Sequence, residues 1–243
     1  GLAMWLKADS LPLADGATVA SWTDSSGNSR NATLSQGTPT FETNELNGKP
    51  VVRFAANGES GFTFPTMANI RTVFMIVKET AVAQHFLLGD DKTYHFHRGT
   101  GGILWDPAYA STNVRNGATK LNGTAVSGTT TPLGSGWKIV SLVTAGNVEA
   151  SRLSRDRSIA GRSWDGDVAE VIVYDRALTA NEELLVGGYL AQKYALPAAY
   201  AGAAPSYTSD GSTWSGGFTG VWHLNSTSVT DSTSTPQNTT SNA

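Results

Sequence analysis

WDGDVAEVIVYDRALTANEE, from Trp164 to Glu183, changes periodicity part-way along. Val168–Tyr174 is apolar at every position except Glu170, a strand-like run that would close a sandwich. Thr179-Ala-Asn-Glu182 then forms a capping box, in which the threonine hydroxyl accepts from the amide three residues on and the glutamate reaches back. Val186, Tyr189, Leu190 and Tyr194 continue at helical spacing as one apolar stripe, and Pro197 ends it. The stretch predicts a closing strand that feeds one short helix.

Strict alternation puts Val168, Glu170, Ile172 and Tyr174 on one strand face and Asp167, Ala169, Val171 and Val173 on the other. Glu170 then has no acid beside it on its own face, and Asp165–Asp167 read as a turn at the strand mouth around Gly166. Glycoside hydrolysis needs two carboxyls held about 5–9.5 Å apart, and this strand does not offer that pair. The expectation is that Glu170 makes one local hydrogen bond or salt bridge.

Outward from this stretch the chain reads as short strands between turns. Met4–Ala8, Thr18–Asp24, Pro50–Phe54, Arg71–Glu79 and Trp137–Thr144 are strand-like, and Thr119–Val126 is a hairpin about Asn122-Gly123. HFLLG, YHFHR and GILW read as a meander, which places His95 and His97 on one strand face. Regular strand spacing with a single helix predicts an all-β fold, an antiparallel jelly-roll-type β-sandwich. Residues 198–217 read as a small-residue linker, and 218–243 as a Ser/Thr-rich tail that starts with the strand-like Phe218–Leu224.

The totals exclude several classes. Charged residues are 15% of the 243, and the net charge is −3 with no basic run or stripe, so nucleic-acid binding has no electrostatic basis. The absence of cysteine removes disulfides and thiolate metal sites. No apolar run reaches the length of a membrane span. No signal-peptide pattern opens the chain, which reads as a mature or trimmed form. No GxSxG, GxxxxGK[ST] or GxGxxG motif is present.

Three segments, in order, carry a family resemblance: MWLKADSLPLADGATVASWTDSSGNSRNATL, LNGKPVVRF and GDVAEVIVYDRALTANEELLVGGYLAQKYAL. Over residues 1–197 the chain resembles the laminin-G-like branch of the concanavalin A-like lectin/glucanase superfamily. The segment GVWHLNSTSVTDSTS looks like the opening of a second such domain. The resemblance implies a piece of a longer secreted or cell-surface bacterial protein. It also implies a structural calcium ion at the sandwich rim, for which Asp24, Asp165 and Asp167 are the carboxylates in Gly-rich turns. It leaves function open, because the fold hosts lectins, hydrolases, adhesion modules and spacers.

The glycan-contact candidates are Trp105, Asp106 and Tyr109 in ILWDPAYAS, together with His95 and His97. Sugars stack their C–H faces on aromatic rings while carboxylates and amides take the hydroxyls. His95 and His97, which share a strand face and have His85 near them in the chain, could bind zinc, but neither cysteine nor an HExxH helix accompanies them, and two half-exposed strand histidines are the simpler expectation. The expected function is a non-catalytic extracellular module for glycan binding or adhesion, with a polysaccharide or cell-surface glycan as partner. The alternatives are a structural spacer or assembly unit of a surface filament, joined to neighbouring subunits through the C-terminal tail, and a carbohydrate-active enzyme with its acids elsewhere.

Overall fold

A computed structural model describes residues 1–55, 59–80, 86–155, 157 and 159–200, and the backbone pairing of residues 222–223 with 230–231. The chain divides into two compact units, Gly1–Ala201 and Gly202–Ala243.

The first unit is an antiparallel β-sandwich. Its strands are β1 (Leu2–Lys7), β2 (Ser21–Trp22), β3 (Ala32–Gln36), β4 (Thr40–Leu46), β5 (Lys49–Phe54), β6 (Gly61–Glu79) and β7 (Leu88–Gly89). They continue with β8 (Ala118–Leu121), β9 (Thr124–Val126), β10 (Lys138–Leu153) and β11 (Gly166–Tyr174). Two helices interrupt them, the one-turn α1 (Thr112–Arg115) and α2 (Ala180–Lys193). The strands run in the order β4-β5-β11-β6-β10-β8-β9, with β1 added to β11, β3 to β6 and β7 to β10.

The apolar runs around Arg71–Glu79 and Trp137–Thr144 are the middles of much longer strands. Strands β6 and β10 hold 19 and 16 residues and pair from Lys138↔Val77 to Leu153↔Phe62. Their register shifts between Val143 and Arg152, and such bulges let a strand bend without losing its partner. Beyond that bend β3 and β7 join them, and before it β11 and β8 do.

Apolar burial splits into two clusters. Inside the sandwich lie Trp22, Phe54, Phe62, Met75, Trp164 and Val171. Outside the sheet, Phe74, Ile76, Ile139, Ile172, Leu190 and Tyr194 pack beneath α2. Strand β11 feeds both clusters, as its continuous apolar run requires.

Alternation along β11 is not strict. The register against β6 shifts between Val168 and Glu170, where the partner on the other edge also changes from β5 to β1. The extra residue is Ala169. Val168 joins Val171 and Val173 in the inner cluster, while Ala169 and Ile172 join the outer one. The expectation that Val168 shares a face with Glu170 is therefore corrected. Asp167 bonds Arg53 and Lys78, and the Lys78 ammonium lies 5.7 Å from the ring of Trp137, which packs on the outer cluster. Asp167 and Glu170 thus stand on one face, contrary to the sequence reading.

The capping box on α2 is formed in full by Thr179 and Glu182. The buried stripe is rotated from the expected one, however. Glu183, Gly187, Gly188, Leu190 and Tyr194 are buried, whereas Tyr189 is exposed and Val186 half-buried. The glycines let Tyr200 approach, and a Cβ on Gly187 would stand 2.2 Å from its ring. Tyr200 is buried with its hydroxyl 3.2 Å from Ser141 Oγ, and the Ala199 amide donates to the Asn122 carbonyl. Residues 198–200 therefore belong to the domain, not to a linker as the composition suggested. Asn122 and Gly123 have φ of 49° and 80°, the mirror-turn conformation that matches strand twist.

Three expectations are revised. Thr18–Asp24 is strand only at Ser21–Trp22. Among the described residues of the expected meander only Leu88–Gly89 is a strand; His95 and His97 lie in the turn that the His97 amide closes on the Tyr94 carbonyl. Helix α1 was not foreseen. His85, the rest of the linker, Phe218–Val221, Leu224 and the packing of Trp222 lie outside the described residues. In the second unit Trp222–His223 pairs antiparallel with Thr230–Asp231.

Candidate functional site

The loop from Tyr94 to Ser111 is built from the inside outward by Trp105. Its indole Nε1 donates to Thr119 Oγ1 at 2.9 Å, its ring centroid lies 6.1 Å from that of Phe96, and it is 3% exposed. Gly128 lies so close that a Cβ there would stand 2.2 Å from the ring. Trp105 is therefore a core residue, and its assignment as a sugar-stacking platform is overturned.

Asp106 turns the chain at the next residue. Its Oδ1 accepts from the amides of Ala108 and Tyr109 at 2.8 and 2.7 Å, the geometry by which an aspartate side chain closes a local turn. The Asp106 amide also donates to the His97 carbonyl at 2.7 Å. Asp106 is buried and serves as scaffold. Tyr109, at the apex of this turn, is 61% exposed.

His97 sits beneath the apex. Its Nδ1 lies 2.7 Å from the Arg98 carbonyl, so Nδ1 carries the hydrogen, and Nε2 is left as the acceptor 3.4 Å from Arg162 Nη1. The rings of Phe86, Tyr94 and Tyr109 lie 4.9, 6.3 and 5.6 Å from its own. His97 is 4% exposed, while Tyr94 is 43% exposed with the Arg157 guanidinium 4.9 Å from its ring centroid.

Tyr94, His97, Tyr109, Arg157 and Arg162 line one open cleft of about 350 Å³. Two exposed phenol faces flank a buried imidazole and two guanidiniums. Of the five residues named from sequence, Tyr109 and His97 are in the cleft, Asp106 supports it and Trp105 lies beneath it. His95 is half-buried beside it, with its carbonyl accepting from the Ser111 amide. Among the described residues no carboxylate lines the cleft.

No protein-family model matches the chain, and no curated protein matches it. Among solved structures it is similar to domain 4 of AbnA, a GH43 extracellular arabinanase from Geobacillus stearothermophilus, in complex with arabinotriose. The identity is 17% and the TM-score 0.42, covering 73% of this chain and 94% of that one.

The three carboxylates proposed for calcium do not form one site. Among the described residues no group of three or more His, Cys, Asp or Glu is placed to hold a metal. Asp24 Oδ1 accepts from the Trp5 and Ser26 amides, and Oδ2 from Ser26 Oγ and the Arg30 amide, at 2.7–2.9 Å. Burial works against its charge, but these donors outweigh burial and hold its pKa below the usual carboxylate range. Asp167 spends its oxygens on Arg53, at 2.7 and 3.1 Å, and on Lys78 at 3.4 Å. Asp165 is buried, and its carbonyl accepts from the Thr80 amide.

Glu170 is the acid whose role the sequence understated. It is fully buried, and its oxygens accept from Trp5 Nε1 (2.6 Å), Tyr189 OH (3.2 Å), Tyr194 OH (2.8 Å) and Lys193 Nζ (2.7 Å). These partners come from β1 and α2, not from the local strand. Tyr94, Arg157 and Arg162 were also missed, because nothing in their local pattern separates a cleft residue from any exposed loop residue.

Proposed function

We propose that the first unit is a non-catalytic extracellular module, of laminin-G-like type, that binds a glycan in the cleft between Tyr94 and Tyr109. The observation that carries this reading is the pair of exposed tyrosines on either side of His97, with Arg157 and Arg162 beside them. Phenol rings offer flat apolar faces to sugar C–H groups. They lose little conformational entropy on binding, having only two χ angles. The guanidiniums supply fixed N–H donors for hydroxyl oxygens.

The non-catalytic part rests on the acids. Glycoside hydrolysis uses two carboxyl groups astride the scissile bond. The described lining of the cleft has none, and Glu170 and Asp167 are themselves buried and committed to ion pairs with Lys193 and Arg53.

A glycan array tests the reading. The wild-type protein is expected to bind at least one polysaccharide, and Tyr109→Ala to lose that binding. Failure to bind any glycan would sink the proposal and favour the spacer alternative.

A further inference from the structure

A second cleft lies across one wall of the first. It has a volume of about 450 Å³, and Ser35, Gln36, Glu59, Thr63, Arg152 and Arg155 line it. The wall is the segment carrying Arg157 and residues 159–162. Arg157 and Arg162 face the aromatic cleft, while Ala160 faces the polar one. Two hydrogen bonds fix this wall from the polar side: Arg152 Nη1 donates to the Arg157 carbonyl at 3.0 Å, and the Gly161 amide donates to Glu59 Oε1 at 2.5 Å.

The two clefts gather positive charge that the whole chain lacks. Ser151–Ser163 reads SRLSRDRSIAGRS, four arginines against one aspartate, in a protein of net charge −3. All four arginines line one cleft or the other, and Glu59 is the one carboxylate among the described lining residues. Arg155 is held in the wall by Gln36 and the Glu59 carbonyl, with the Glu59 carboxylate 3.9 Å away. Arg155 is committed to these partners, whereas Arg152 is half-buried on the polar cleft with one nitrogen on the Arg157 carbonyl. A guanidinium is a planar fork of donors that matches a carboxylate or a sulfate in two-point contact. A protein of net negative charge repels polyanions in general, so affinity for one must come from a local patch.

We propose that the ligand is an anionic glycan, bearing uronate carboxylates or sulfate esters. It stacks between Tyr94 and Tyr109 and continues over the Arg157–Arg162 wall into the polar cleft, where Arg152 meets its charge. This rests on the glycan-binding reading above and adds the class of glycan.

The test compares matched polymers that differ in charge alone. Polygalacturonate is set against its fully methyl-esterified form, and dextran sulfate against dextran, by titration of the wild-type protein at neutral pH. The charged member of one pair is expected to bind about tenfold tighter, an advantage that shrinks as added salt screens it. The pair that responds identifies carboxylate or sulfate. Arg152→Gln, in the polar cleft, is expected to weaken binding of the charged member several-fold and leave the neutral one unchanged, with thermal midpoints recorded alongside. Equal affinity within both pairs, still lost in Tyr109→Ala, overturns the anionic assignment and leaves the glycan cleft standing. Charge-dependent binding that ignores Tyr109→Ala overturns the tyrosine cleft instead and keeps the arginine surface.

Discussion

Lys193, in the last turn of α2, places its ammonium 2.7 Å from Oε2 of Glu170, a fully buried residue in the middle of β11. The same carboxylate takes Trp5 Nε1 from β1, and Lys193 also reaches Asp9 at 3.0 Å. The beginning and end of the domain are thereby joined through one side chain. Removing one partner of a buried ion pair leaves an uncompensated charge, at a cost of about 3–5 kcal/mol. Glu170→Ala is expected to lose that much in denaturant unfolding. The double variant Glu170→Leu with Lys193→Met should regain a large part of it, because replacing a whole buried pair with apolar side chains is often neutral. A loss under about 1 kcal/mol for Glu170→Ala would show that solvent reaches the pair.

The same cluster sets the alkaline limit. Tyr189 is exposed along its ring, but its hydroxyl turns in toward Glu170 at 3.2 Å, and this partial burial pushes it up to about 12, with Glu170 adding to the shift. Burial opposes the charge of Lys193, but Glu170 and Asp9 outweigh it and raise its pKa above the ordinary lysine value. An unfolded tyrosine ionises near about pH 10. Between there and pH 12 the native chain retains a proton that the unfolded chain releases, so stability present below about pH 10 is lost as pH rises. Thermal midpoints from pH 9 to 12 should fall, and fall less steeply in Lys193→Met with Tyr189→Phe. Parallel slopes in the two proteins would place the alkaline transition elsewhere.

Trp105 and Tyr109, four residues apart, should separate stability from binding. Trp105→Ala removes a buried ring and the donor to Thr119, which is expected to cost about 3–5 kcal/mol. Tyr109→Ala removes an exposed ring and should leave the thermal midpoint nearly unchanged. Similar midpoints for the two variants would contradict the burial of Trp105.

Asp24 should govern the acid side without a metal. Its pKa is held below the usual range, so its contribution is present above the ordinary aspartate pKa of about 3.9 and is lost as pH falls through the depressed native value. Asp24→Asn should lower stability at neutral pH by about 1–3 kcal/mol, since one of the two accepting oxygens becomes an amide nitrogen and faces either the Trp5 and Ser26 amides or the Arg30 amide as donor against donor. The acid transition should also become shallower. A calcium ion at Asp24 would have to displace four donors, so millimolar calcium and a chelator are expected to give superimposable melts. A midpoint that rises with calcium would restore the metal.

What was legible in the sequence was local. The capping box at Thr179–Glu182, the Asn122-Gly123 turn and the apolar centres of β6, β10 and β11 each depend on residues a few positions apart, and each formed. What was not legible depended on contacts distant in sequence. Trp105 turns inward because Thr119 and Gly128 receive it, and nothing in ILWDPAYAS records that. Glu170 became a hub because the bulge at Ala169 aims it at α2 and β1. The arginines of Ser151–Ser163 form no run by simple counting, and only the fold places them along two adjoining clefts.

The central claim is that ligand meets the cleft of Tyr94, His97 and Tyr109. Backbone chemical-shift mapping during titration with a bound polysaccharide fragment tests it most directly. The account predicts shifts that cluster at residues 94–97, 106–111 and 157–162, with α2 silent. Shifts centred instead on the exposed side of α2, at Leu185 and Tyr189, would contradict it.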